Sequence, residues 1–449
     1  MASALYLRNG NIVNEGIVFK GGLVIENEKI TDVIDYTSNQ SEPFDIKTIN
    51  LAGMHVFPGI IDSHVHFREP GMTHKGNIYS ESKAAVAGGV TSIMDMPNTK
   101  PQTTSIDRIE EKIRIAEKKS LVNYAFYLGA TNENLKELLA ADPTYICGIK
   151  VFLGASTGNM LLNNSKSLQN IFAKVKKLIT IHCEDEEIIK KNLSIAIEKY
   201  GDNIPMHFHP IIRSSEACYK SSFKALSLAL KYQTRLHLLH VSTKKETELF
   251  QNIPLDTGKQ ITGEACVHHL WFSDNDYNEK QSLIKWNPAI KKPSDSEALL
   301  KGVNTNKIDI ISTDHAPHSF EEKKQPYLSC PSGAPMIQHS LPAMLDLYHK
   351  KLISLETITE KMCHNPAKVF NIKERGFIRK GYYADLAIVD LNSQWKVNKN
   401  NVLYKCKWSP LTGHTFNSKV IHTFVNGQHV YNNTVINESK KGKLIYFSK

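Results

Sequence analysis

The stretch Val56-Phe57-Pro58-Gly59-Ile60-Ile61-Asp62-Ser63-His64-Val65-His66 is an apolar run that ends on two histidines two positions apart. Such a run reads as a buried strand, and strand alternation puts positions i and i+2 on one face. Both imidazoles then leave the carboxyl end of the strand on the same side. Working outward, short apolar runs recur at residues 91–94, 122–128, 146–152, 178–181, 236–239, 261–263 and 308–312. Helix-type stretches follow most of them, for example 80–87, 106–118 and 215–231. About eight strands alternating with helices predict a parallel sheet closed into an eight-stranded α/β barrel. An open doubly wound sheet is the alternative, but no Gly-x-Gly-x-x-Gly follows an early strand.

Both ends of the chain read as β-rich. Leu5-Tyr6-Leu7 and Ile12-Val13 flank Asn9-Gly10, and two further runs flank Glu26-Asn27-Glu28-Lys29. Near the other end, residues 420–425 and 428–431 flank Asn426-Gly427. These are hairpin signals, and the two ends are expected to pair into one small β unit.

The composition narrows the function classes. The chain has 449 residues, 41% hydrophobic and 22% charged, which excludes collagen-like and wholly disordered chains. Its 55 Lys+Arg against 45 Asp+Glu give a net charge of +10, but the lysines lie in scattered pairs such as Lys118-Lys119 and Lys323-Lys324. That pattern reads as a solvated surface, so no nucleic-acid partner is expected. The seven cysteines are dispersed, with no Cys-x-x-Cys, which suggests reduced thiols. No signal core opens the sequence and no apolar run reaches membrane length, so no membrane partner is expected and the expected location is cytoplasmic.

Histidine placement carries the chemistry. His64 and His66 end the first run, His182 and His240 end later ones, Asp314 ends the last, and Lys150 lies within the fourth. A lone histidine on a strand is ordinarily a core residue. Four at strand ends with an aspartate point to a metal site at the barrel mouth. Imidazole and carboxylate without thiolate suit catalytic rather than structural zinc, and no cysteine is expected in the site. A lysine near cationic metal loses its proton readily. The neutral amine could then take up carbon dioxide as a carbamate able to bridge two metals; the alternative is a lysine that snorkels to solvent. Metal lowers the pKa of bound water, and Asp314 could move the proton to a leaving nitrogen, which is hydrolysis of an amide-like bond.

The substrate is expected to be a small anion. Arg68 shares the face of His66 if the strand continues, Asn98 follows the second strand, and His318 follows Asp314. A guanidinium there can bind a carboxylate in bidentate fashion.

The stretch Pro58-Gly59-Ile60-Ile61-Asp62-Ser63-His64-Val65-His66-Phe67-Arg68-Glu69-Pro70-Gly71 resembles the signature of dihydroorotases in the amidohydrolase superfamily. Ala87-Gly88-Gly89-Val90-Thr91, Met96-Pro97-Asn98-Thr99, Gly263-Glu264, His268-His269-Leu270, Asn287-Pro288 and Ser312-Thr313-Asp314-His315-Ala316-Pro317-His318 continue it. The resemblance implies a distorted (β/α)8 barrel over residues 57–371, with a small β-sandwich built from 1–56 and 372–449. It implies reversible interconversion of N-carbamoyl-L-aspartate and L-dihydroorotate in pyrimidine biosynthesis. His64 and His66 would bind one zinc ion and His182 and His240 a second. Carboxylated Lys150 would bridge them, with Asp314 as ligand and proton carrier. Arg68, Asn98 and His318 would hold the substrate carboxylate, with Asn287 near the ring. Glu264, His268 and His269 match the family and are assigned to structure around the site. Residues 154–159, rich in Gly and small polar types, are expected to form a loop over the substrate. The segment 331–338 departs from the family's Gly-Leu-Glu, which leaves its substrate contacts open. A homodimer is compatible with the sequence, which does not fix the oligomeric state.

The rival reading is a related cyclic amidase, an allantoinase or hydantoinase with the same metal set. Phe67-Arg68-Glu69-Pro70-Gly71 together with Met96-Pro97-Asn98-Thr99 favours dihydroorotase. So does Ala155, where hydantoinases usually carry a tyrosine.

Overall fold

A computed structural model describes residues 4–38, 43, 45–154 and 160–448. The N-terminal strands are β1 (Ala4–Asn14), β2 (Ile17–Glu26), β3 (Lys29–Asp35), β4 (Lys47–Asn50) and β5 (His55–Pro58). Eight further strands follow: β6 (Ile60–Val65), β7 (Val90–Asp95), β8 (Asn123–Gly129), β9 (Ile146–Phe152), β10 (Ile179–His182), β11 (Leu236–Leu238), β12 (Ile261–Cys266) and β13 (Ile310–Ser312). Each pairs in parallel with the next in sequence order. The His66 N–H donates to the His315 carbonyl at 2.8 Å and brings the last strand back to the first. The result is the nearly closed (β/α)8 barrel that the alternation predicts. β8 and β9 are buried at every position, which is why they read as unbroken apolar runs rather than alternating ones.

The C-terminal strands are β14 (Leu386–Asp390), β15 (Trp395–Lys396), β16 (Thr415–Phe416), β17 (Lys419–Val425), β18 (Gln428–Asn432) and β19 (Val435–Ile436). β14 pairs antiparallel with both β5 and β17, so strands from both chain ends share one nine-stranded sheet. That sheet forks at β1, whose first half pairs with β4 and whose second half pairs with β5. β15 and β16 form a separate two-stranded ribbon.

Two local features differ from the sequence expectation. Asn9-Gly10 does not turn a hairpin: β1 runs through it, with a register shift between Leu7 and Gly10 and Asn9 at φ 58°. This is bulge geometry. The run 56–61 is also divided. His55–Pro58 joins the terminal sheet, and Ile60 begins the barrel. Gly59 sits at the division, where a Cβ would lie 2.1 Å from Thr91 Oγ1, so the close approach of the two strands requires glycine. Among the described residues no helix is long and apolar enough to cross a membrane. All seven cysteines are free thiols.

Candidate metal centre

The ten residues singled out from the sequence line one cavity of about 260 Å³: His64, His66, Arg68, Asn98, Lys150, His182, His240, Asn287, Asp314 and His318. His64 lies within β6 and His66 just past its end, while His182 closes β10. His240 and Asp314 each sit two residues beyond a strand, at φ 37° and 45°. Backbone in this left-handed region is unfavourable for residues with a Cβ, and it concentrates at functional sites.

Hydrogen bonds fix the ring tautomers. Glu264, on β12, accepts from His64 Nδ1 at 2.8 Å and from the His240 backbone N–H at 3.1 Å. Asn98 Oδ1 lies 2.7 Å from His66 Nδ1. With both Nδ1 atoms protonated, both Nε2 atoms carry lone pairs. Those atoms converge on Asp314 Oδ1, at 3.3 Å from His64 and 2.9 Å from His66. Three acceptors facing one another suit a shared cation, and buried His64, His66 and Asp314 are close enough to hold one ion together. His182 Nε2 donates to Glu184 at 3.0 Å, which leaves Nδ1 facing His240 Nε2 at 2.8 Å. That spacing is a hydrogen-bond distance, so the His240 Nε2 proton is shared with His182 Nδ1.

Burial sets the electrostatics. It depresses all four imidazoles, His66 to about 3, and the nearby Lys150 charge adds to the effect. Neutral imidazole is the form that ligates metal. Burial also pushes Lys150 down to about 7, so a large share of its amine is unprotonated near neutrality. Among the described residues its Nζ has no hydrogen-bond or ion-pair partner and lies 4.4 Å from the centre of the Phe152 ring. The snorkelling alternative fails, because Lys150 is only 1% exposed. Burial raises the Asp314 carboxyl, against the pull of His64 and Lys150.

Arg68 reaches the cavity by a different route from the one the sequence suggested. β6 has already ended, and a positive-φ turn (φ 68°) redirects the chain. Its Nε donates to Pro317 O at 3.0 Å, and a terminal nitrogen lies 3.0 Å from His318 Nε2. Burial and the Arg68 charge hold His318 well below the usual range, so its ring is neutral. Lys75 approaches His318 Nδ1 at 3.0 Å, and Ser332 O accepts from Nε2 at 3.0 Å. This is a positively charged corner beside the imidazole cluster. Asn287 also faces the cavity, with its buried Oδ1 unpartnered among the described residues.

Sequence reading missed Glu184, although a carboxylate two positions after a strand-end histidine was an available signal. It also missed Lys75, whose approach depends on a turn. Residues 331–333, left open in the sequence, form part of the cavity wall. Cys266 Sγ lies 3.6 Å from Glu264 Oε1, because alternation along β12 puts both on one face. His268 stacks on Trp286 at 4.0 Å and His269 bonds to Pro288 O, in keeping with a structural assignment. The proposed loop at 154–159 lies outside the described residues beyond Gly154.

A parallel α/β barrel with clustered imidazoles, a carboxylate and a buried lysine at one mouth defines a barrel hydrolase. The chain belongs to the amidohydrolase family, whose profile matches residues 55–430. It is 33% identical over 437 residues to the dihydroorotase of Pyrococcus furiosus, covering 96% of each chain. It is 32% identical over 423 residues to that of Methanosarcina acetivorans, covering 91% of this chain and 88% of the relative. Among solved structures, the L-hydantoinase (dihydropyrimidinase) of Arthrobacter aurescens superposes with TM-score 0.90 at 26% identity, covering 97% of this chain and 98% of its own. The dihydropyrimidinase of Brevibacillus agri superposes with TM-score 0.86 at 21% identity, covering 96% of each chain, a likeness of fold.

Proposed function

We propose that this hydrolase is a dihydroorotase. It interconverts N-carbamoyl-L-aspartate and L-dihydroorotate plus water, in de novo pyrimidine biosynthesis, as a cytoplasmic enzyme. His64, His66 and Asp314 would hold one zinc ion and His182 and His240 a second, with carboxylated Lys150 between them. The donor set fits, since all are hard or borderline oxygen and nitrogen ligands. Bound metal supplies a lowered water pKa and polarises the scissile carbonyl.

The remaining work falls to side chains. Arg68, with His318 and the Asn98 amide, binds the ring carboxylate and fixes the ring's orientation. Asn287 faces the ring. In the hydrolytic direction Asp314 takes a proton from the attacking water and returns it to the ring nitrogen as the C–N bond breaks. It ends in its starting state, and the same transfers run backward in cyclisation.

The observation that carries the reading is the Arg68–His318 corner in the same cavity as the imidazole cluster. A ring bearing a carboxylate uses it, and an uncharged ring does not. The hydantoinase reading draws on the solved structures, whose identity to this chain is below that of the dihydroorotases named above. A panel of dihydroorotate, carbamoyl aspartate, allantoin and a hydantoin on metal-analysed protein separates them. Turnover of dihydroorotate and its open form is expected; preference for the hydantoin overturns the proposal.

A further inference from the structure

We propose that Lys285 and Lys323 form a buried clamp that shapes the cavity wall at residues 331–333 and through it the seat of the substrate carboxylate. The inference deepens the dihydroorotase reading and rests on it for the identity of the substrate.

Lys323 ends the short helix Phe320–Lys323 and is 1% exposed. Its Nζ donates to Pro331 O and Gly333 O, each at 2.9 Å, and lies 3.4 Å from Lys285 O. Lys285 Nζ donates to Tyr327 O at 2.7 Å and Cys330 O at 2.6 Å. The Gly333 N–H closes the loop onto Lys285 O at 2.8 Å. Neither amine has a carboxylate within ion-pair reach among the described residues. Burying a lysine without a counter-ion is unfavourable, and an apolar side chain of similar length would fill the space at lower cost. What the lysines contribute that methionine cannot is a fixed direction for several backbone carbonyls.

That direction matters on the other side of the chain. In a trans peptide the C=O and N–H point oppositely. With the carbonyls of Pro331 and Gly333 turned to Lys323, the N–H groups of Ser332 and Ala334 turn away from it, and neither finds an acceptor among the described residues. The Ser332 carbonyl meanwhile accepts from His318, the imidazole beside Arg68. Gly333 is confined from the opposite side: its φ is +121°, and an added Cβ would lie 2.7 Å from Ala316 O. The clamp thus holds one wall of the anion corner from outside the cavity. Lys285 and Lys323 are positioning residues and touch no substrate.

The test is Lys323→Met on the metal-loaded enzyme. KM for dihydroorotate should rise about tenfold with kcat little changed, because ground-state orientation is lost and chemistry is not. Kinetics on dihydrouracil, which lacks the carboxylate, should stay unchanged. Hydrogen exchange of a peptide spanning residues 326–337 should accelerate while that of β6 and β10 stays the same. Gly333→Ala, which pushes the same wall from the other side, should reproduce the KM effect and serves if Lys323→Met fails to fold. An equal loss on both substrates, or an unaltered KM, overturns the clamp's part in recognition. Unchanged exchange at 326–337 overturns the clamp itself. Failure of the wild type to process dihydroorotate overturns the proposed function alone, since the exchange measurement reads the clamp without substrate.

Discussion

In the proposed reaction Asp314 holds a proton briefly and then gives it up. Burial raises its carboxyl while His64 and Lys150 pull the other way. Asp314→Asn keeps the shape and removes the proton carrier. Turnover should fall by about 10²–10⁴ while KM for dihydroorotate changes little. Near-normal turnover in steady-state assays would rule out the transfer role. Arg68→Ala acts on the other half of the site. If Arg68 holds the substrate carboxylate as proposed, losing that buried charged partner costs about 2–5 kcal/mol, and KM should rise by well over tenfold. A variant that changes only its melting temperature would remove the carboxylate clamp. The residues in both experiments were legible because strand-end position and residue type coincide in the sequence. The groups that orient them were less legible. Lys75 acts through a contact made across the fold, at 3.0 Å from His318, and a lysine in a loop carries no mark of such a partner.

At the scale of elements, the seam between β6 and β13 holds the two halves of the His64–His66–Asp314 cluster together. Asp62 spans it, accepting from the Thr313 hydroxyl at 2.6 Å, the Thr313 N–H at 3.2 Å and the His64 N–H at 3.3 Å. The same hydroxyl accepts the His315 N–H at 3.0 Å. Thr313→Val keeps the volume but leaves an oxygen of Asp62 unpaired, which costs about 1–3 kcal/mol. The denaturant midpoint should fall accordingly, and metal bound per chain should fall with it; an unchanged midpoint would show that the seam carries no such load. Strand positions were legible to within a few residues because apolar runs between polar flanks mark strands buried on both faces. What misled was punctuation. Asn9-Gly10 supports a bulge as readily as a turn, since both use positive φ, and which occurs depends on the partner strands. Asn426-Gly427 does turn a hairpin, with φ 49° and 72° and β17 paired to β18.

For the whole molecule, the barrel sets four buried, neutral imidazoles around a lysine that burial alone holds near pH 7. Without metal this arrangement is a liability in acid. Histidines in the unfolded chain take up protons below about pH 6.5, while the folded ones resist, His66 down to about 3. Because the unfolded state then binds more protons, stability is fully present above about pH 6.5 and is lost as the pH falls toward 3. Metal binds the neutral ligands of the folded state and stabilises it by mass action. Chelator-treated protein should therefore melt below the metal-loaded form, with the gap closed by adding zinc. In Lys150→Ala the proposed bridging ligand is gone. Activity should be lost, bound metal should drop from two ions per chain, and added zinc should produce a much smaller rise in melting temperature. A Lys150→Ala protein that keeps both metals by elemental analysis would show that the imidazoles and Asp314 hold them unaided, and the lysine would then need another explanation for its place in the cavity.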